Sequence, residues 1–499
     1  MNGHCARGSV GREYVRVGES RPIPTTVDWA NAPSVFKLYR GGPKLPLDGT
    51  LGRFLRDVYG LTGQRWHVPG EVSPAGRRGA ASAAATTLRP VPAGGARYPC
   101  ELYLLAGPDQ PVPPGVYHYD PAHHCLDVLR DSAPEAGLSL LISVAFWKNV
   151  FKYGEFSYRL HSLDAGVVLG QVLAAAAGHG LDPQVHFQFS DAALDRLLGL
   201  DPADESVYAV ITLAPVVDPV PVVHPVPVVD PVPVVDPVPV GAAGLAGQPA
   251  PPHPQSIGLY PLPTKLHEAA MQQGAGPWPK GEGVPPVLAD APVSIRSAPL
   301  TSASLDLLAG LNRRRSSKGY FRSGTMRAGQ ISRLLSGSMQ KYPSDLGDDG
   351  SSIAHTGLFC TIHAVEGLES GVYYYDPTRH ALEQVRAGDV RGELQAALTS
   401  LMFNMFQVNL CFFPVAHYEP RLAAYGDRWY RVQNMEAGII VQRLYLAAAA
   451  LGFGCHTQLG FRVDAVNALL GLSESPLTSL IQVMIAPSSE PGNFYDYQL

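Results

Sequence analysis

Charge is scarce in this chain: Asp, Glu, Lys and Arg make up 16% of its 499 residues, against about 25% in ordinary globular domains. The signs nearly balance, with 38 Lys plus Arg against 43 Asp plus Glu and a formal net charge of −5. No long basic run occurs, so the sequence lacks the electrostatic footprint of a nucleic-acid binder. Cysteine is sparse too. Cys5, Cys100, Cys125, Cys360, Cys411 and Cys455 are scattered without a CxxC pair, which argues against a disulfide scaffold or a close-spaced zinc site and suits a reducing compartment, the cytoplasm. The N-terminal stretch has no apolar core of the kind a signal peptide needs. The most apolar run, 437–454, is interrupted by Gln442, Arg443 and Tyr445; a membrane span needs about 20 nearly unbroken apolar residues, so this run reads as a buried helix. A P-loop, a GxSxG elbow and a GxGxxG dinucleotide fingerprint are all missing, leaving a nicotinamide without a dedicated motif.

What the chain does have is 51 glycines and 46 prolines, about a fifth of its length and below the roughly 25–30% typical of low-complexity disorder. Much of the proline is local. Four tandem hexapeptides, VVDPVP, VVHPVP, VVDPVP and VVDPVP, fill 216–239, a density that removes amide donors and favours an extended spacer over a strand. Pro- and Gly-rich sequence continues to about residue 286, so 215–286 reads as a linker.

The flanks of this linker repeat one another. GVYHYDP at 115–121 returns as GVYYYDP at 371–377, KYGEFSYRLHSLDAG at 152–166 as AYGDRWYRVQNMEAG at 424–438, and LLGL at 197–200 as LLGL at 469–472. The last two pairs share an offset of 272 residues. Three ordered matches indicate an internal tandem duplication, with an N-terminal extension at 1–30, a first unit at 31–214 and a second at 287–499. Each unit reads as α+β. Helices are expected at 51–59 and 301–311, strands at 101–106 and 360–365, and GVYxYDP as a hairpin strand ending in an Asp-Pro turn. A long Ala/Leu-rich helix at 163–177 or 436–450 follows, then a short helix carrying LLGL and a last strand at 207–213 or 480–485.

FKLYRGGPKLPL (36–47), VPAGGARYPCELY (91–103), GVYHYDP and FKYGEFSYRLHSLDAG (151–166) together resemble the nitroreductase superfamily, and within it the SagB-type dehydrogenases that oxidise azoline rings in ribosomal peptides. The resemblance implies two nitroreductase-like domains paired as an intrachain pseudo-dimer, FMN as cofactor, and sites lying between the two copies. It also implies an azoline-containing peptide as substrate and a cyclodehydratase complex as partner.

The expected site residues divide between the halves. The family's phosphate-binding RRSxR/K opening is matched by Arg314, Arg315, Ser316 and Lys318 in the second half, two guanidinium groups and a lysine suited to a phosphate; Lys37, Arg40 and Lys44 are a looser substitute in the first. The family's glycine loop is matched by Pro92, Ala93, Gly94, Gly95 and Tyr98, with Ala93 in place of a serine; its counterpart in the second half, 354–360, has lost the pattern. The Gly-Leu-Gly turn of the family survives as Gly452, Phe453 and Gly454, whereas Asp182 stands opposite the last glycine in the first half. Lys152 and Tyr153 match the catalytic Lys-Tyr pair of the azoline dehydrogenases, and Ala424-Tyr425 replaces it in the duplicate. These complementary sets imply one complete FMN site per chain, with Lys152 as base or its activator and Tyr153 as positioning or relay group. The cluster His118, His123, His124 and Cys125 is set aside as a metal site, because Tyr374, Thr378, Arg379 and His380 stand at those places in the repeat. Two other functions stay open: a general FMN-dependent NAD(P)H reductase of nitro compounds or quinones, and a catalytically weak subunit of a peptide-modifying complex.

Overall fold

The computed structural model describes residues 7–67, 85–132, 137–215, 260–271 and 287–489, apart from 22, 25, 30–31, 302–303, 347–350, 353–354 and 401. Trp278 and the short strands Gln248–Pro249 and Phe494–Gln498 are described as well. The hexapeptide repeats lie outside the described residues.

Two antiparallel sheets form the frame. The first reads, edge to edge, Lys44–Pro46, Cys125–Arg130, Gly115–Asp120, Cys100–Ala106, Leu138–Ala145, Glu205–Pro215 and Leu181–His186. The second reads Arg296–Pro299, Ala381–Ala387, Gly371–Asp376, Gly357–Ile362, Leu410–Ala416, Gln482–Ala486 and Gly454–Gln458, with Thr478–Ser479 added beside Leu410–Ala416. The two orders correspond strand for strand. Successive side chains on a strand face opposite ways, and the apolar sets divide accordingly. In Cys100–Ala106, Leu102, Leu104 and Ala106 enter the main core, while Tyr103 and Leu105 join a smaller cluster with Val116, Leu141 and Val207. In the second sheet Leu358, Cys360 and Ile362 enter that same main core, and Phe359 joins Val372, Phe413 and Met484 outside it. One continuous core therefore runs through both halves.

Its axis is a pair of long helices, Ser157–Gly178 and Trp429–Ala450. Both are buried on nearly every face, so neither shows a single apolar stripe, and their polar members, such as Arg431 and Glu436, are buried with partners. By length and composition the run Trp147–Gly178 could cross a membrane, but 83% of its most apolar window is buried inside the protein. The helices cross at Gly166 and Gly438. A Cβ on Gly166 would overlap the carbonyl of Met435, and one on Gly438 the carbonyl of Leu163, so the backbones can meet only because both side chains are absent. The second helix stops at Gly452, φ +78°, with the amides of Gly452 and Phe453 bonded back to Ala449 and Ala448, a left-handed glycine termination.

The chain ends tie the halves together. Phe494–Gln498 pairs antiparallel with Gly63–His67 of the first half. The 1–30 segment, expected as a separate extension, is in part docked: Ser9–Glu13 is helical, and Gly11 N–H donates to Asp427 at 2.6 Å. Glu19 accepts from Arg159 at 2.9 Å and from Tyr430 at 2.8 Å. Nor is 215–286 spacer throughout. Pro261–Ala270 is a helix burying Leu266, His267 and Ala270, started by proline at its first turn, where the missing N–H costs nothing. The helix expected at 301–311 shrinks to Leu308–Leu311, and the longer helix of this region is Ala328–Ser338, beyond the arginine cluster. The apolar periodicity of 328–338 belongs to a helix that packs on Trp429–Ala450.

Candidate active site at the seam

The glycine loop is built under backbone constraint. Gly95, Ala96 and Tyr98 have φ of 62°, 55° and 49°, a left-handed region that costs residues with a Cβ about 1 kcal/mol or more. The loop is held from below by two helices. Gly94 N–H donates to both carboxylate oxygens of Asp164 at 3.1 Å, and Lys148 Nζ donates to the Tyr98 carbonyl at 3.2 Å while paired with buried Glu101. A Cβ on Gly95 would overlap the Tyr153 hydroxyl and lie 2.8 Å from Lys152 Nζ. The loop and the Lys-Tyr pair, 57 residues apart from Gly95 to Lys152, are thus in direct apposition.

Their electrostatics separate the two members of the pair. Burial, assisted by the charge of Arg97, lowers the pKa of Lys152. Burial and nearby Asp164 push Tyr153 up to about 12, so of the pair only the lysine is moved toward its uncharged form near neutral pH. Asp164 itself, which the sequence reading did not single out, is pushed up to about 7 by burial despite its bond from Gly94. Its signal was present: LDAG and MEAG place an acid at the same position of both repeats, Asp164 and Glu436. Glu436 accepts from Thr356 Oγ1 at 2.9 Å, so each acid braces the segment in its own half that corresponds to the glycine loop.

In the second half Arg314 is buried, with its guanidinium 5.6 Å from the Tyr445 ring centroid. Arg315 Nη1 donates to the Arg314 carbonyl at 2.9 Å, and Ser316 Oγ donates to the Tyr445 hydroxyl at 3.3 Å. Ser317 N–H bonds the Cys455 carbonyl at 2.9 Å, which lays this cluster along the strand opened by Gly454. A side chain on Gly454 would collide with Ser317 and Ser488; Gly452 serves the helix stop instead, and Phe453 packs half-buried against the core. Lys318 is exposed, with φ 46°. Its charge and, above all, burial bring the pKa of His456 down to about 4, so His456 is a further neutral member of this wall.

The two sets meet across the halves. Arg314 Nη2 donates to the Arg89 carbonyl at 2.8 Å, Gln442 Nε2 to the Pro90 carbonyl at 3.4 Å, and Tyr98 lies close enough to act on the Arg314 charge. Arg89, which sequence reasoning missed, sits 4.3 Å from the Tyr59 ring centroid and 4.8 Å from that of Tyr98. Nε and Nη1 of both Arg89 and Arg314 are buried without a hydrogen-bond partner among the described residues. Buried donors left unpaired are costly, and those of Arg314, which shares Tyr445 with Ser316, suit an anionic phosphate, which guanidinium groups bind strongly; the Arg89 guanidinium lies apart, over the Tyr59 and Tyr98 rings, and donates to the Val35 carbonyl.

Other candidates are committed elsewhere. Lys37 is buried against Glu205 and the Tyr103 hydroxyl, each at 2.7 Å, and Lys44 pairs with Asp120 and Asp127; neither serves as a substitute phosphate cluster. His118 bonds Asp127 at 3.0 Å and Glu101 at 3.2 Å. Asp182 is exposed in its strand rather than turned into a cleft. Around Tyr425 the counterpart site is packed with Trp429, His355 and Trp278.

Residues 311–485 match the nitroreductase family profile. FMN is the cofactor of that family, and the buried Arg314 guanidinium with Ser316 fits its phosphate. A solved structure from Anabaena variabilis, described as a nitroreductase, superposes on 97% of this chain and 100% of its own with a TM-score of 0.74 at 22% identity. The fold of both halves is therefore that of a known structure. A Methanocaldococcus jannaschii protein named as a nitroreductase, MJ1384, is 32% identical over 120 residues, covering 24% of this chain and 60% of that protein. Trifolitoxin-processing protein TfxB of Rhizobium leguminosarum bv. trifolii is 29% identical over 143 residues, 25% of this chain and 38% of TfxB. In both cases the chain spans less than two thirds of the relative.

Proposed function

We propose that this chain is an FMN-dependent dehydrogenase that oxidises thiazoline or oxazoline rings of a peptide to thiazoles or oxazoles, within a SagB-type branch of the nitroreductases. The observation that carries the reading is the apposition of Gly95 to Lys152 Nζ and the Tyr153 hydroxyl, on a loop whose own half meets Arg314 of the other half at the Arg89 carbonyl. The two halves arose by tandem duplication and form an internal pseudo-dimer with one working site, for which the matching strand orders are the support. The relative named for trifolitoxin processing supports a place in the maturation of a peptide natural product, and with it a cyclodehydratase complex as partner in the cytoplasm.

Converting an azoline to an azole removes a proton from one ring carbon and a hydride, one proton with two electrons, from its neighbour. Bound FMN supplies the two-electron acceptor. Arg314, Ser316 and Lys318 would hold its phosphate end, and Gly95, by lacking a side chain, leaves room for the Tyr153 hydroxyl and Lys152 Nζ at the glycine loop. Lys152 takes the ring proton at Nζ, since burial moves its pKa toward neutrality and leaves more free amine. Tyr153 stays a phenol at physiological pH and donates a hydrogen bond that orients the substrate.

The test is loss of two hydrogens from an azoline peptide, read by mass. Lys152→Ala should keep its flavin and lower turnover by about 10²–10⁴-fold, the usual contribution of a general base; unchanged turnover would refute the role. A second reading, reduction of nitro compounds or quinones by NAD(P)H, draws on the name of the archaeal relative. Rapid flavin reduction by NADPH without any peptide would favour it.

A further inference from the structure

Each half has a tryptophan, from the segment that precedes it, lying against its Lys-Tyr position. In the first half the Trp29 ring stands 5.4 Å from Lys152 Nζ and packs edge-on at 5.8 Å against Phe151. In the second half Trp278 packs at 5.2 Å on Tyr425, the residue corresponding to Tyr153, and at 6.2 Å on Trp429. The two differ in exposure: Trp278 is 6% exposed and completes an aromatic plug, whereas Trp29 is 58% exposed. The plug occupies the half that lost its lysine. The open tryptophan stands where the lysine is kept.

The chain shortly after Trp29 is fastened to the site. Arg97, on the glycine loop, donates to the Pro33 carbonyl, and Lys148 and Arg89 donate to the Val35 carbonyl at 3.1 and 3.2 Å. Three cations thus fasten Pro33 and Val35, a few residues after Trp29, to the glycine-loop side of the first half. An indole with most of its surface in water costs hydration free energy that burial would recover, and its face is suited to a flat, unsaturated ring.

Resting on the reaction assigned above, we infer that Trp29 is a specificity-determining residue: its ring is the wall, beside Lys152, against which the heterocycle-bearing part of the peptide packs. Trp278 is the same device closed permanently by the protein itself. Because Trp29 packs mainly at the surface, its replacement should leave folding and flavin content unchanged.

The experiment compares full-length, flavin-loaded wild type, Trp29→Ala and Trp29→Phe on one azoline peptide, with melting temperature and flavin absorbance as controls. Trp29→Ala should raise KM about 3- to 10-fold, the range set by one aromatic contact, with the smaller effect on kcat, and Trp29→Phe should recover most of the loss. Peptide titration should quench or shift tryptophan emission in wild type and much less in Trp29→Phe. Unchanged KM in Trp29→Ala, or equal emission changes in wild type and Trp29→Phe, would overturn the inference while leaving the reaction standing. A wild type that leaves the peptide's mass unchanged overturns the reaction, and this inference with it.

Discussion

Asp164 shows how one buried carboxyl can link loop geometry to pH. It receives the Gly94 amide through both oxygens, yet its pKa is raised to about 7 because burial outweighs that bond. In the unfolded chain an aspartate ionises near pH 4, so folding takes up a proton between about pH 4 and 7. The stability owed to the neutral carboxyl is fully present below that window and falls as pH rises through it. Asp164→Asn removes this titration. Its stability relative to wild type should therefore rise between pH 5 and pH 8, by on the order of 1 kcal/mol or more, as read from urea midpoints at the two values. A difference that stays flat across that range would show the carboxyl to be already ionised in the fold. Lys152 moves oppositely in charge terms, its ammonium disfavoured by the same dry surroundings. Neither shift is visible in composition, since each follows from what the loop and two helices bring against the side chain.

At the level of elements, the crossing of Ser157–Gly178 and Trp429–Ala450 is stabilised from outside by the N-terminal segment. Arg159 is buried and relies on Glu19 at 2.9 Å as its carboxylate partner, with the Leu480 carbonyl as a further acceptor. Its counterpart Arg431 instead pairs with Asp191 at 2.9 Å and with His267 of the Pro261–Ala270 helix. The two repeats keep the same arginine and neutralise it with different segments. Glu19→Ala should destabilise the fold by about 3 kcal/mol, because it leaves a buried cation without its carboxylate; Glu19→Gln should recover part of this through its hydrogen bonds. Chemical denaturation of the two variants checks the ordering. The long helices, the GVYxYDP hairpins and the LLGL helices were legible from periodicity and turn residues. The helix at 328–338 was missed, and among the described residues of 301–311 only Leu308–Leu311 is helical; both segments pack on Trp429–Ala450, a tertiary contact that local propensity does not report.

For the molecule as a whole, the seam between halves brings residues of the candidate site together. The glycine loop and Lys152 come from one half, and Arg314, Ser316 and Gly454 from the other. The opposite seam has Ala424 in place of the lysine and its aromatic space filled by Trp278. Purified protein should accordingly hold one FMN per chain, measured by flavin absorbance after denaturation against protein concentration; two, or none, would contradict this arrangement. The sequence alone displayed the internal similarity, the strands and long helices, and the motifs of the glycine loop, the Lys-Tyr pair and the arginine cluster, because composition and motif spacing need no partner to be read. Tertiary structure decided which residues meet. Arg89 became part of the site only through its carbonyl bond to Arg314, and Asp164 only through its place beneath Gly94. Trp29 and Trp278 acquired opposite exposures only through the surfaces they face. Contacts between residues hundreds of positions apart depend on how two sheets pack around one pair of helices, and no local pattern encodes that distance.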